Sequence, residues 1–254
     1  EVVKPLEQRG NYETSRRVLQ IISQVFRYAV ITGRAKHNVA ADLRGALRPR
    51  KTVHRAAVLE PEKVGRLLRD IDAYEGYFPL VCALKLAPLV FTRPTELRAA
   101  QWKEFDLEAG EWRIPAERMK MRRQHLVPLS RQAMSILREL QKYSGEGKFL
   151  FPSIRTEARP ISDATMLNAL RRMGYQKHEM SVHGFRSIAS TLLNELGYNR
   201  DWIERQLAHG EQDEVRAAYN YAEYLPERRK MMQAWADYLD GLRNTQQKRI
   251  REEA

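Results

Sequence analysis

The stretch SVHGFR, residues 181–186, sets His183 and Arg186 three positions apart at the start of an apolar run. That spacing puts both side chains on one helical face, with Ser181 as a candidate N-cap. In FTRPTEL, Pro94 disfavours helical geometry at Arg93 and suits a first helical position. Arg93 therefore stands at a helix N-terminus, where backbone amides already favour an anion. Glu96, three residues on, is placed to satisfy the cap and steady Arg93. ERMKMRRQHLVPLS connects two strand-like segments and carries Arg118, Lys120, Arg122 and Arg123. ERQLAHG ends a helical stretch with His209 and Gly210, and VRAAYNYAEYLPERR presents Tyr219, Tyr221 and Tyr224. Each motif alone also has an ordinary structural reading: a surface cap, a solvated hairpin tip, a helix C-cap partner, packed tyrosines.

In series, Arg, Lys, His-x-x-Arg, His and Tyr supply what metal-free phosphoryl transfer needs. Two fixed guanidiniums can hold the non-bridging oxygens of a phosphodiester and its transition-state charge. A lysine ammonium can protonate a departing 5′ oxygen. A histidine can take the proton of a tyrosine, whose ordinary pKa is about 10. The phenolate oxygen then attacks phosphorus and holds it covalently. Losing one charge-stabilising donor from such a site costs about 3–4 kcal/mol in the barrier. Neither a metal nor a cofactor is expected.

The elements that must position these groups follow from composition and period. In 254 residues, 43% hydrophobic and 9% aromatic content can build a core, and 44 Lys/Arg against 32 Asp/Glu leave a formal charge of +12. A field of that sign captures polyanions, nucleic acid first among them. The charge is concentrated: residues 1–55 hold twelve Lys/Arg against four Asp/Glu, an excess of eight. One cysteine, Cys82 in an apolar run, excludes a disulfide framework and a cysteine zinc site. No apolar stretch approaches the roughly 20 residues of a membrane span. The chain opens on Glu1 rather than Met, so a fragment of a longer protein is expected.

Within TSRRVLQIISQVFRYAVITG, Leu19, Ile22, Val25, Phe26, Ala29 and Val30 fall near helical spacing, and Gly33 stops the helix. LRPRKTVHRA is basic, poor in apolar residues, and reads as a linker. From Leu59 the pattern is that of a compact domain, mostly helical. YFPLVCALKLAPLVF is an apolar helix, or a pair broken near Pro88. Phe105–Leu107, a turn at Glu108–Gly110, Trp112–Ile114 and Gln124–Leu129 suggest three strands. Helical segments then run to Leu242.

The motifs resemble those of the tyrosine recombinases, most closely the prophage and genomic-island integrases. FTRPTEL is similar to the family's first arginine box, HGFR and LAHG to the second, and AYNYAEY to the nucleophile segment. The family's lysine lies on a hairpin before a V-P-L strand, and Lys120 stands seven residues before Val127. The resemblance implies a catalytic set of Arg93, Lys120, His183, Arg186, His209 and Tyr219. Tyr219 is preferred over Tyr221 and Tyr224 because it follows His209 by ten residues, near the family spacing. One departure is Thr95, where the family commonly has a small glycine.

The resemblance further implies an α+β, mostly α, fold: a helical catalytic domain with a small three-stranded antiparallel sheet, preceded by a partial helical domain. The expected boundaries are 1–47 for the end of a core DNA-binding domain, 48–57 for a linker, 58–242 for the catalytic domain and 243–254 for a frayed tail. The implied activity is site-specific cleavage and rejoining of DNA through a 3′-phosphotyrosine, for integration or excision of a prophage or genomic island. A type IB topoisomerase-like relaxase and a non-catalytic DNA-binding relative are the alternatives. The expected partners are double-stranded DNA, three further copies of the chain in a tetramer on DNA (a monomer when free), and accessory DNA-bending proteins, with no membrane. The expected location is the bacterial cytoplasm, at the nucleoid. MMQAWADYLDGL, with Trp235, Tyr238 and Leu239, is either a docking element for a neighbour or part of its own core.

Overall fold

A computed structural model describes residues 2–43, 45, 47, 56–209 and 224–252, the last seven as backbone alone. Tyr219, Tyr221 and most of the basic linker lie outside the described residues. The chain divides into two compact units, Glu1–His54 and Arg55–Ala254.

The first unit holds α1 (Lys4–Gln8) and α2 (Tyr12–Ile31). The amphipathic period of α2 buries Leu19 against Val3 and Ala40, with Val18, Ile22 and Leu47 packed alongside. Gly33, at φ +70°, takes the left-handed conformation that ends the helix, as a glycine at that place predicts. The apolar face is narrower than the period suggests: Val25 is exposed. The buried stripe instead includes Ser15 and Ser23, whose hydroxyl accepts from the Asn38 amide at 2.9 Å.

The second unit is built on α4 (Phe78–Val90), a helix almost wholly apolar and buried. Pro88 does not break it: the helix runs two residues further, to Val90, and ends at Phe91, a left-handed C-cap with φ 36°. Around it pack α3 (Pro61–Asp72), α5 (Pro94–Arg98), α6 (Arg131–Ser144), α7 (Asp163–Arg172), α8 (Gly184–Glu195), α9 (Arg200–Gln206) and α10 (Leu225–Glu252). Helix α10 continues past 242, through much of the stretch expected to fray. Trp235, Met231, Met232, Ala236 and Leu239 of α10 join the main core, so this face is covered by its own domain. Closeness to α3 requires a glycine: a Cβ on Gly65 would lie 2.5 Å from the Leu242 carbonyl oxygen.

The sheet is three-stranded and antiparallel in the order β1 (Phe105–Asp106), β2 (Glu111–Ile114), β3 (His125–Pro128). Asp106 Oδ1 accepts from the Glu108 and Ala109 amides, and Gly110 at φ 64° completes the turn. Phe105 pairs with Trp112 across the ladder, and their rings stack with centroids 5.0 Å apart. A second pair, β4 (Pro152–Ser153) and β5 (Thr156–Pro160), forms a hairpin whose second strand is exposed and which periodicity does not reveal. The fold is therefore α+β and mostly α. Among the described residues, no helix is long and apolar enough to cross a membrane.

Candidate active site

The site is organised by the carbonyl end of α9. The last carbonyls of a helix have no partner within it and carry its negative pole, so they attract N–H donors, cationic ones most strongly. Three consecutive residues are used this way. Gln206 O faces His125 Nε2 at 3.1 Å, Leu207 O accepts from Arg186 Nη2 at 2.7 Å, and Ala208 O accepts from Arg93 Nη2 at 2.9 Å. The two arginines, 93 positions apart in the chain, thus meet on adjacent peptide groups.

Arg93 is the N-cap of α5, as Pro94 predicts. Glu96 holds it twice: Oε2 accepts from the Arg93 amide at 2.9 Å and Oε1 from Nη1 at 2.8 Å. Glu96 is 2% exposed and Arg93 18%, so the pair is largely shielded from solvent while the guanidinium keeps an open edge. Arg186, on the first turn of α8, is buried. Its Nη1 donates to Phe91 O at 2.9 Å, and Nη2 also lies 3.1 Å from His209 Nε2. An arginine only donates, so His209 Nε2 must offer its lone pair. His209 Nδ1 then carries the proton and donates it to Glu204 Oε2 at 2.7 Å. That bond is the main reason the Glu204 carboxyl sits below its ordinary range. Sequence reading assigned Glu204 no role; its position five residues before His209, across the helix end, is the signal that was available.

Phe91 and Ala208 both have positive φ, 36° and 48°, without being glycine. Their carbonyls are acceptors for Arg186 and Arg93 respectively. Backbone strain at two side-chain-bearing residues therefore coincides with the two guanidinium anchors.

His183 is the half-buried N-cap of α8, so the helix begins at Gly184, and Ser181 lies two residues before the N-cap. Its hydroxyl nevertheless accepts from the Gly184 amide at 3.2 Å, as a cap does. A Cβ at Gly184 would lie 2.7 Å from the Ala56 carbonyl oxygen, which explains the glycine in HGFR. Lys120 is exposed on the connection between β2 and β3. The structure therefore brings Arg93 and Arg186 to adjacent carbonyls, Ala208 O and Leu207 O, with His209 in direct contact with Arg186 and His183 one turn from it. Tyr224, the described tyrosine of the cluster, has φ 47° and its carbonyl accepts from the Arg228 amide.

Arg228 and His125, outside the sequence-derived set, brace this arrangement. Arg228 is wholly buried; Nε and Nη2 donate to Gln206 Oε1 at 3.1 and 2.7 Å, and Nη2 also to Leu126 O. His125 is pushed down to about 3, chiefly by burial and then by the positive charges of Arg228, Arg186 and Arg205. The Gln206 carbonyl opposes this more weakly. The folded protein keeps the ring neutral, while the unfolded chain binds a proton below the ordinary value of 6.5. Stability contributed by neutral His125 is thus complete above about pH 6.5 and falls as pH drops toward 3. The slope is about 1.4 kcal/mol per unit, so roughly 2–3 kcal/mol is lost by pH 4.5. Urea titrations of the parent and His125→Gln at pH 7.5 and 4.5 test this. The variant's stability should fall less; equal falls would show that His125 does not titrate as described.

A helical domain with this small sheet and an Arg–His–Arg cluster at one helix end defines the class. Residues 57–225 match the Phage integrase family and residues 1–46 the Phage integrase central domain. The chain belongs to the phage integrase family. It is 42% identical to the integrase of Enterobacteria phage P4 over 95% of this chain and 58% of that protein. It is 41% identical to the prophage integrase IntA of Escherichia coli K12, over 92% of this chain and 56% of the relative. The chain thus spans somewhat more than half the length of these relatives. Its fold is similar to that of a lambda integrase (75–356) dimer bound to a COC′ core site, with a TM-score of 0.64 and 18% identity over 82% of this chain and 76% of that one. The Tn1549 transposon integrase in complex with circular intermediate DNA gives a TM-score of 0.65 at 14% identity, over 91% and 82% of the two chains.

Proposed function

We propose that the chain is the DNA-cleaving and rejoining part of a site-specific tyrosine recombinase, serving integration or excision of a prophage or genomic island. The observation that carries this reading is the meeting of Arg93, Arg186 and His209 on the turn Leu207–His209. In the proposed reaction both guanidiniums hold the scissile phosphate. The Tyr219 oxygen bonds to phosphorus as the bond to the 5′ oxygen breaks. Its phenolic proton goes to a histidine, His183 or His209, and the Lys120 ammonium gives one to the leaving oxygen. Energy is retained in the phosphotyrosyl link, and the reverse sequence rejoins the strand. His209 Nε2 carries a lone pair, held in the free protein by Arg186 Nη2, and serves as the base only by exchanging that donor for the tyrosine hydroxyl.

The remaining features of the reading are a core DNA-binding domain over 1–47, a linker over 48–57 and a catalytic domain over 58–242. Double-stranded DNA is the substrate, four protomers act on paired sites with DNA-bending helpers, and the setting is the bacterial cytoplasm. The net charge supports a DNA partner, and a lambda integrase tetramer bound to a Holliday junction, at a TM-score of 0.64, supports the assembly. The relatives' names favour an integrase over a topoisomerase-like relaxase.

The test uses a duplex carrying the end sequence of the encoding element, nicked so that the cleaved piece diffuses away. A covalent protein–DNA adduct should accumulate, and mass mapping should put the phosphate on Tyr219. An adduct on Tyr221 or Tyr224 would refute the nucleophile; binding without any adduct would favour the non-catalytic relative.

A further inference from the structure

Arg118 is the most tightly held residue of the connection that carries Lys120. Its side chain is 16% exposed. One guanidinium nitrogen donates to Glu104 Oε2, and the other to the Glu96 carbonyl oxygen at 2.5 Å. Glu104 is itself buried and accepts from Trp112 Nε1 of β2 at 3.0 Å. Glu96 is the residue whose carboxylate grips Arg93. A single arginine therefore ties three things together: the buried sheet, the helix of the first guanidinium, and a loop. Met119, 5% exposed, continues the anchor into the core, and Lys120 follows at once, exposed. Arg122, at φ 50°, then turns the chain back toward β3. The loop spans ten residues, 115–124, and its fixed point lies two positions before the lysine.

We propose that Arg118 is a positioning residue for Lys120, setting the distance between the leaving-group acid and the phosphate-holding Arg93 through Glu96. This inference rests on the reading of Lys120 as the proton donor to the 5′ oxygen. The forked guanidinium is what the task requires. It spans the Glu104 carboxylate and the Glu96 carbonyl at once, which a lysine ammonium cannot reproduce in the same plane.

The chemistry supplies a readout that a purely structural role would leave unmoved. When P–O5′ breaks, the leaving alkoxide needs a proton, since its conjugate acid is about as weak as water, with a pKa of ~15.7. If sulfur replaces O5′, the leaving group is a thiolate, whose thiol has a pKa of about 8.5, and it departs unprotonated. A defect in placing Lys120 should therefore vanish on sulfur-linked DNA. A defect in the guanidinium pocket should persist.

The experiment measures single-turnover adduct formation on paired nicked duplexes, oxygen- and sulfur-linked at the scissile bridge. Arg118→Lys, which keeps a charge beside Glu104, should be slower by about 10–100-fold on oxygen-linked DNA and close to the parent on sulfur-linked DNA. Lys120→Ala should show the same pattern more strongly, and Arg93→Ala should be slow on both. The double variant Arg118→Met/Glu104→Gln, which leaves no buried unpaired charge, should behave like Arg118→Lys. The ratio of the two rates within one variant does not depend on how much of it is folded. An Arg118→Lys defect of equal size on both substrates, or no defect on oxygen-linked DNA, would overturn the proposal. If Lys120→Ala itself were not rescued by sulfur, the acid assignment would fall, and the inference with it. If the parent formed no adduct on either duplex, the recombinase reading would fall as well.

Discussion

Arg186→Lys is expected to slow formation of the covalent DNA adduct by about 10²–10³-fold, the loss usual for one preorganised charge-stabilising donor. The reason lies in how the guanidinium is held. Phe91 O, Leu207 O and His209 Nε2 surround Arg186, so its plane and its charge are fixed before any phosphate arrives. A lysine keeps the charge as a point on a flexible stem and cannot serve acceptors from α4, the end of α9 and the imidazole together. His209 loses the donor that occupies Nε2, and its ring is then oriented by Glu204 alone. Arg186→Ala should add a stability defect, because buried carbonyls left without a donor cost about 1–3 kcal/mol each. Adduct rates on nicked DNA, read beside thermal melts, separate the two effects. An Arg186→Lys protein that melts normally and reacts within tenfold of the parent would remove Arg186 from the proposed chemistry.

What could be read beforehand was local. Pro94 announces the α5 N-terminus, and Glu96 three residues on announces its partner; both rest on backbone rules that act within one turn. The three strands were legible because Trp112, Ile114 and Val127 alternate with outward residues beside a turn of Asp106 and Gly110. The β4–β5 pair was not, because β5 is exposed along nearly its whole length and offers no alternation. The braces of the site were equally hidden. Arg228 reads as one charge among several in LPERRK, and His125 as the polar start of a strand. Their burial comes from the packing of α10 and β3 against the end of α9, which no local pattern encodes. The same holds for Arg118, one of four cations on the connection until its two buried acceptors are seen. Long-range convergence of Arg93 and Arg186 was expected from the chemistry of the set and from the resemblance, but spacing says nothing about which carbonyls they share.

Trp235→Ala is expected to lower the unfolding free energy by about 3–5 kcal/mol, a large part of the 5–15 kcal/mol typical of a domain. The indole is fully buried on α10, and Nε1 donates to the Pro88 carbonyl at 2.9 Å. That carbonyl stands at the end of α4, where no further turn of helix supplies an amide. Truncation therefore opens a cavity and strands a buried acceptor. The ring also meets Phe91 edge-on, with centroids 6.3 Å apart and planes at 85°. Phe91 is the residue whose left-handed backbone turns its carbonyl to Arg186, so the indole packs directly on the residue that anchors the guanidinium. Trp235→Phe should retain most of the apolar packing and lose mainly the hydrogen bond, for about 0.5–1.5 kcal/mol, plus the cost of an acceptor left unpaired. Denaturant midpoints should fall in the order parent, Trp235→Phe, Trp235→Ala, and adduct formation should weaken in the same order as Phe91 gains freedom. A residue that served a neighbouring protomer rather than its own core would behave oppositely. Trp235→Ala would then leave the monomer's midpoint unchanged and shift only its self-association, which sedimentation at matched concentrations would reveal.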